Sequence, residues 1–243
     1  MALVDYGIDA PKEQQNFMWR GATFFAIGLG IYFMNRREYP GPAGAMFGVL
    51  GLIGLIFLAL SGAWYWTSKN GKLKLRDDII GGLNLKGDEK ILDVGCGRGL
   101  LLIGAAKKLS SGKGKATGVD VWADDLSNNS AQATLANAKA EGLSADKVKI
   151  QTADATSLPF EEASFDVVVS ALCLHNIPTV EGRLKAVSEM YRVTKAGGQI
   201  AIFDLFRVGE YTAALRQLGA AEVVESGLTY GVFPAKIVRA KKV

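Results

Sequence analysis

Residues 91–104 read "ILDVGCGRGLLLIG", and the fold turns on how that stretch is parsed. Ile91, Leu92 and Val94 form an apolar run that leads into Gly95, Gly97 and Gly99, and a second apolar run at helical spacing follows. Strand, tight turn and helix are predicted in that order.

Downstream, short β-branched runs alternate with amphipathic stretches: "GKATGVDV", "KVKIQTAD", "FDVVVSAL" and "GQIAIFDL". With "KILDVG" they make five units, which predicts a doubly wound parallel sheet. Two further runs, "EVVESGL" and "AKIVRAKK", are separated by only the few residues around Phe233 and predict an antiparallel hairpin at the sheet edge. The expected fold class is therefore α/β, a seven-stranded and mostly parallel sheet with the last strand antiparallel.

In such a sheet the ligand lies beyond the carboxyl ends of the strands. The residues there are Asp93 to Gly99, Asp120 with Val121 and Trp122, Asp154 with Ala155, Ser170 to Asn176, and Asp204. A dinucleotide fingerprint would need a third glycine at position 100, which is Leu100. Asp93, two residues before the first glycine, would repel a phosphate and attract an ammonium group. An amino-acid ligand fits better, its carboxylate facing the glycine amides and the helix N-terminus while Asp93 balances its amino group directly or through water. Asp120 stands where an acid reads ribose hydroxyls, and Asp154 where one accepts from an exocyclic adenine amine. Amino acid, ribose and adenine together describe S-adenosylmethionine.

Upstream of the sheet the composition changes. The formal charge of +4 sits in the first 76 residues, with 8 Lys/Arg against 4 Asp/Glu, while residues 77–243 balance at 20 against 20. A neutral domain lacks the electrostatic footprint of a nucleic-acid partner. Ala43 to Trp66 runs 24 residues without a charge, long enough at helical rise to cross a hydrocarbon core of about 30 Å. Residues 17–34 form a shorter apolar segment that reaches across with a snorkelling Arg20. "NRREYPGP" lies between, and Pro40, Gly41 and Pro42 are expected to turn the chain back as a transmembrane hairpin.

Lys12, Arg20, Lys69, Lys72, Lys74 and Arg76 outnumber Arg36 and Arg37 in the turn, which places both ends and the following domain in the cytoplasm. Trp19, Trp64, Tyr65 and Trp66 would share one interface. Asp5, Asp9 and Glu13 ahead of the first apolar run argue against a secretory signal. Gly44, Gly48, Gly51 and Gly54 form a seam that packs the hairpin on itself or joins two copies in a homo-oligomer. The expected organisation is a membrane segment of residues 1–72 and a domain of residues 73–243. Cys96 and Cys173 have neither CxxC nor His/Cys ligand spacing, so neither a disulfide framework nor a metal site is expected.

"ILDVGCGRG", "GVDV", "TADATSLPF" and "SFDVVVSALCLHNI", in this order, resemble the motifs of class I S-adenosylmethionine-dependent methyltransferases, closest to the small-molecule branch with quinone and sterol methyltransferase-like proteins. The resemblance covers roughly residues 75–243. It implies a Rossmann-like methyltransferase fold and S-adenosyl-L-methionine as cofactor, with S-adenosyl-L-homocysteine as product. Asp93, Gly95, Gly97 and Gly99 would cradle the methionine part, Asp120 would hold the ribose, and Asp154 and Ala155 the adenine. Cys96, Val121, Trp122, Ser170 and Leu172 are the further candidate cofactor residues, Trp122 either stacking on the adenine or packing under it. The hairpin is a departure from the soluble quinone enzymes.

Methyl transfer from a sulfonium needs a positioned nucleophile and a base only if the acceptor must lose a proton. His175, the sole histidine, falls just after the fourth strand and is the candidate base. Asn129, His175, Asn176 and Asp204 are the candidate acceptor contacts, with a helix N-cap expected among Asn128, Asn129 and Ser130. "SALC" replaces the Asn/Asp-Pro-Pro-aromatic motif usual in nucleic-acid amino methyltransferases, and two separated cysteines argue against arsenic methylation. The expectation is a membrane-anchored methyltransferase acting on a hydrophobic small molecule or lipid-like acceptor. A protein methyltransferase serving a membrane partner and a non-catalytic cofactor-binding module are the alternatives.

Overall fold

A computed structural model describes residues 4–109, 112–122, 129–230 and 233–243. They gather into two compact units: Ile8–Asn70, and Gly71–Val243 together with residues 4–7.

The smaller unit is a helical hairpin of α1 (Pro11–Asn35) and α2 (Pro40–Trp66). Both helices are long and apolar enough to cross a membrane. The turn is shorter than expected, because Pro40 opens α2 instead of ending the preceding helix. At the first helical position its missing N–H costs no intrahelical bond and its fixed φ suits the helix.

The two helices meet through small residues. A Cβ on Gly54 would lie 2.8 Å from Gly21 O, and one on Gly28 would lie 3.0 Å from Leu50 Cβ. Gly44 and Gly48 have open space around them, so only the later half of the expected seam packs the hairpin on itself. Phe17 rests on Phe57 and Trp64 with ring centroids 5.4 and 5.8 Å apart. Near the helix ends Gln14 Nε2 donates to Ser61 Oγ (2.8 Å) and Trp64 Nε1 donates to Asp9 O (2.8 Å).

A single π-helical turn (Thr67–Gly71) precedes α3 (Lys72–Gly81). The larger unit continues with β1 (Lys90–Val94), α4 (Leu100–Lys108), β2 (Lys115–Asp120), α5 (Ala131–Ala140), β3 (Val148–Thr152) and β4 (Phe165–Ala171). It ends with α6 (Val180–Val193), β5 (Thr194–Asp204), α7 (Val208–Gln217), β6 (Ala221–Tyr230) and β7 (Phe233–Lys241). The sheet order is β3-β2-β1-β4-β5-β7-β6. The first five strands pair in parallel, and β7 runs antiparallel to both β5 and β6. Phe233, expected in the connection, opens β7 instead.

Strands buried on both faces explain the unbroken apolar runs. Ile91, Val167 and Val169 pack under α3 and α4, while Leu92, Val94 and Val168 pack under α6 and α7 with Met190, Tyr211 and Leu215. The strand order reverses direction between β1 and β4, which opens a crevice at the carboxyl ends of those two strands.

Residues 4–7 belong to the larger unit through polar contacts. Asp5 N donates to Asn137 Oδ1 and Asn137 Nδ2 donates back to Asp5 O, both at 2.9 Å. Arg98 Nε also donates to Asp5 O (2.7 Å). The Tyr6 hydroxyl donates to Glu141, which also receives Arg76 and Lys107. Lys72 Nζ donates to Tyr6 O (2.9 Å) and Gly7 O (3.2 Å).

Candidate active site

The turn after β1 is built by its three glycines, all at positive φ (73°, 52° and 88° for Gly95, Gly97 and Gly99). A Cβ on Gly95 would stand 2.0 Å from Cys173 Sγ, so glycine lets the loop after β4 close against the turn. Gly99 forms the left-handed cap of α4.

The glycine amides of this turn, and that of Cys96, are occupied within the protein. Gly95 N and Cys96 N donate to Val119 O (2.8 and 3.0 Å), Gly97 N donates to Asp120 Oδ2 (2.8 Å), and Gly99 N donates to Cys96 O (2.7 Å). The expectation that they face a ligand carboxylate is thereby corrected. The Gly95, Cys96 and Gly97 amides hold the turn against β2, the Gly99 amide closes the turn on itself, and the turn shapes the site through its backbone path.

A cavity of about 420 Å³ opens beside the turn, at the crevice. Of the expected cofactor residues, Gly95, Asp120, Val121, Asp154, Ala155 and Leu172 line it, and so do Asn129 and Asn176. Asp120 receives Gly97 N on one oxygen and Trp122 N on the other, each at 2.8 Å. A carboxylate offers about four lone-pair directions, so capacity remains for two hydroxyl donors. Asp154 Oδ1 receives Thr156 N (2.7 Å) and Thr156 Oγ1 (2.8 Å) in a tight turn, which leaves Oδ2 for a ligand donor. Ser130 is the N-cap of α5, accepting from Ala133 N at 3.1 Å, as expected for one of that polar trio. Asn128 lies outside the described residues.

Other expected residues lie away from the cavity. Asp93 is 2% exposed and accepts Leu102 N at 2.9 Å, so it holds the first turns of α4 and does not line the cavity. Burial, reinforced by Asp120 and opposed by the Leu102 amide, pushes its carboxyl up to about 7. Cys96 is a core residue under β2, its thiol raised first by burial. Ser170 is 1% exposed and donates to Val94 O (2.8 Å), tying β4 to β1. The Trp122 indole donates to Thr152 Oγ1 (2.9 Å), which fixes it at the end of β3.

A second constellation lies next to the cavity, over the carboxyl ends of β4 and β5. Cys173 and Asn176 line the cavity from the short 3₁₀ turn after β4. His175, between them, turns toward β5 and brings Nδ1 to 2.5 Å from Asp204 Oδ1. Asp204 is fully buried, so it is not the acceptor contact expected from its position; it is the support of His175. Its carboxylate also accepts Leu205 N (2.8 Å), His175 N (3.2 Å) and the Tyr211 hydroxyl (3.2 Å). Burial, and then the Asp204 charge, hold the Tyr211 phenol far above its ordinary range, so it stays a donor. The exposed Phe206 ring meets the imidazole edge-on, with centroids 6.1 Å apart.

Sequence reasoning missed Ala153, Thr156, Ile177 and Pro178 in the cavity wall, and Arg183 behind it. Arg183, 1% exposed, donates from Nη1 to Ile177 O (2.9 Å) and Pro178 O (3.2 Å) and from Nε to Glu210 (2.9 Å). A signal for it existed: Arg183 continues the apolar stripe Ala186, Val187, Met190 and Val193 of α6, a place where a charge needs a buried partner.

Residues 92–202 match the family described as "Methyltransferase domain". The chain is 32% identical over 149 residues to 27-O-demethylrifamycin SV methyltransferase of Amycolatopsis mediterranei, a match covering 59% of this chain and 50% of that one. It is 31% identical over 129 residues to demethylmenaquinone methyltransferase of Staphylococcus epidermidis (53% and 48% covered) and to a sterol 4-C-methyltransferase of Caenorhabditis elegans (53% and 35%). The chain thus spans about half the length, or less, of these curated relatives.

Two solved structures share the fold. One is a SAM-dependent methyltransferase from Aquifex aeolicus, with a TM-score of 0.56, 22% identity and 71% and 92% of the two chains covered. The other is geranyl diphosphate methyltransferase in complex with SAM, with a TM-score of 0.57, 15% identity and 70% and 85% covered. Residues 92–202 thus carry the pattern of a methyltransferase domain, and the seven-stranded sheet has the fold of these solved methyltransferases.

Proposed function

We propose that the protein is a membrane-anchored methyltransferase that uses S-adenosylmethionine to methylate a hydrophobic small molecule or lipid-like acceptor at the cytoplasmic membrane face. The observation that carries this reading is one chain holding both a cavity lined by Asp120 and Asp154 at the switch of a sheet with a methyltransferase fold and a hairpin with its apolar side chains turned outward. Only 11% and 17% of the most apolar windows of α1 and α2 are buried, where a soluble core helix would be mostly covered. Val49, Leu52, Leu55 and Phe33 are each more than half exposed, as lipid-facing residues are.

The cavity's chemistry suits the cofactor. Asp120 would take the ribose hydroxyls, Asp154 and Ala155 the adenine edge, and Gly95 with Asn129 the methionine end. When bound, S-adenosylmethionine supplies an electrophilic methyl carbon on a sulfonium. The protein's own part is to hold the acceptor in line, exclude water and manage any proton the acceptor loses. Anchoring concentrates a lipidic acceptor near the site.

The test is incubation of the full-length protein with methyl-labelled S-adenosylmethionine and host membranes, followed by partition into organic, aqueous and protein fractions. Label in the organic phase, lost with Asp120→Ala, is expected. Label in precipitated protein would favour a protein acceptor, and cofactor binding without transfer to any fraction would favour a binding module.

A further inference from the structure

We propose that the carboxyl end of the sheet is a lipid-docking surface. Val121, Val180, Leu184 and Phe206 form an apolar rim that sinks into the boundary between head groups and acyl chains of a bilayer and opens the cavity toward it. The inference rests on the membrane-anchored reading and goes beyond it by naming the surface of the larger unit that meets lipid.

The exposed apolar side chains come to this end from separate segments. Val121, 57% exposed, follows β2 and itself lines the cavity. Val180 and Leu184, both exposed, stand in the first turns of α6, just after the cavity-lining Ile177 and Pro178. Phe206, 63% exposed, follows β5, whose Phe203 O accepts Leu172 N (3.0 Å) from the cavity wall. Single exposed apolar residues are ordinary. A set gathered round one opening marks an interaction surface.

The pattern on α6 agrees. Its buried stripe holds Arg183, Ala186, Val187, Met190 and Val193. At about 3.6 residues per turn, Val180 and Leu184 flank that stripe on one side, and the exposed Glu181 and Lys185 come next round the helix. The apolar face therefore runs on past the core and out to the surface. Arg183 and Arg207 share Glu210, at 2.9 and 3.0 Å, so charges at the starts of α6 and α7 are paired within the protein. Pairing lowers the cost of bringing such groups toward lipid.

The path of the chain selects lipid as the occupant. The polypeptide leaves the larger unit after Gly7 and re-enters it at Gly71. Arg98, in the turn after β1, donates to Asp5 O (2.7 Å), and Lys72 Nζ donates to Gly7 O (3.2 Å). Both crossing points are thereby held at the carboxyl end of the sheet. The residues between them include the two helices long and apolar enough to cross a membrane. The other end differs in kind: Lys86, Asp88, Lys90, Lys113 and Lys115, around the starts of β1 and β2, are all exposed. An apolar rim with an aromatic ring, at the end from which a membrane segment departs, suits the bilayer interface.

The test places a nitroxide label on single introduced cysteines in the full-length protein, reconstituted into phosphatidylcholine and phosphatidylglycerol vesicles. Val180→Cys, Leu184→Cys and Phe206→Cys report the rim, Lys113→Cys the opposite end and Leu52→Cys the hairpin. Cys96 is buried and Cys173 lies in the cavity wall, so the labelled parent chain supplies the blank. Calorimetry of S-adenosylmethionine binding checks that each labelled chain is folded. The rim labels are expected to lose access to a water-soluble nickel chelate while keeping access to oxygen, and the label at position 113 to keep both. Rim labels as open to nickel as position 113 overturn the inference, while a nickel-shielded, oxygen-accessible label at position 52 leaves the membrane-anchored reading standing. Rim labels shielded from both reagents also overturn it, in favour of a second copy of the chain if dilution in lipid frees them. A label at position 52 open to nickel overturns both.

Discussion

Gly95 shows how little latitude the glycine turn has. With φ at 73° and Cys173 Sγ 2.0 Å from where a Cβ would stand, Gly95→Ala must both strain the backbone and push away the loop after β4. A loss of about 2–4 kcal/mol of stability is expected from strain and overpacking together, read as a lowered denaturant midpoint along with weakened cofactor binding. Asp120 joins the turn to β2 and offers its remaining lone pairs to the cavity. Asp120→Ala is expected to weaken cofactor affinity about 10- to 100-fold, equivalent to roughly 1.4–2.8 kcal/mol, measured by calorimetry. Asp120 and Asp154, acids at the carboxyl ends of parallel strands, stand in the crevice and line the cavity. Asp93 and Asp204 satisfy the same positional rule but are buried, for their carboxylates point to a helix amide and to an imidazole supplied by other segments.

At the level of elements, α6 owes its use to Arg183, whose guanidinium joins the loop after β4 to α7. Arg183→Met fills the same stripe without the fork of donors. It is expected to leave the fold intact but lower kcat, with a thermal shift of a few degrees, because Ile177 O and Pro178 O lose their donor. In the hairpin, Gly54 and Gly48 differ in one respect only: a Cβ on Gly54 would meet Gly21 O at 2.8 Å, whereas Gly48 has nothing within 4 Å. Gly54→Leu is therefore expected to cost about 1–3 kcal/mol by overpacking and to raise protease sensitivity in detergent micelles, and Gly48→Leu to be nearly neutral. The sequence presented all four glycines of α2 as one seam. Only the position of α1 decides which of them are pressed against a neighbour.

For the whole molecule, the buried Asp93 carboxyl ties stability to pH. Its pKa is raised to about 7 in the folded protein, against about 3.9 in the unfolded chain. Between those values the folded state keeps a proton that the unfolded state has released, so this group's contribution falls as pH rises from about 4 to about 7 and the penalty is complete above that. Asp93→Asn, which can still accept Leu102 N, is expected to gain stability over wild type progressively across that window and to hold the gain at pH 8, measured by urea unfolding at several pH values. The same scale governs truncation. Residues 4–7 and α3 pack with the sheet, and Lys72 Nζ lies 3.2 Å from Gly7 O. Replacing residues 8–70 by a flexible linker of about ten Gly/Ser residues is expected to retain cofactor binding and lose turnover on a membrane-embedded acceptor. Cutting away residues 1–72 should instead lower stability, because Arg98, Asn137 and Glu141 lose Asp5 and Tyr6.

By itself the sequence determined the strand–turn–helix order, the seven strands, the acids at the strand ends and the two apolar segments. All of these are periodicities or positions that a few neighbouring residues encode through backbone geometry and burial. Tertiary structure alone decided that the glycine amides serve β2, that Asp93 holds α4 and that Asp204 sits beneath His175. It also decided that Arg183 braces the loop after β4 and that residues 4–7 join the larger unit and not the hairpin. Those outcomes depend on which buried donor meets which acceptor across 23, 29 or 132 positions of chain. Every buried polar group must find such a partner, and only the assembled sheet and helices bring the partners within reach.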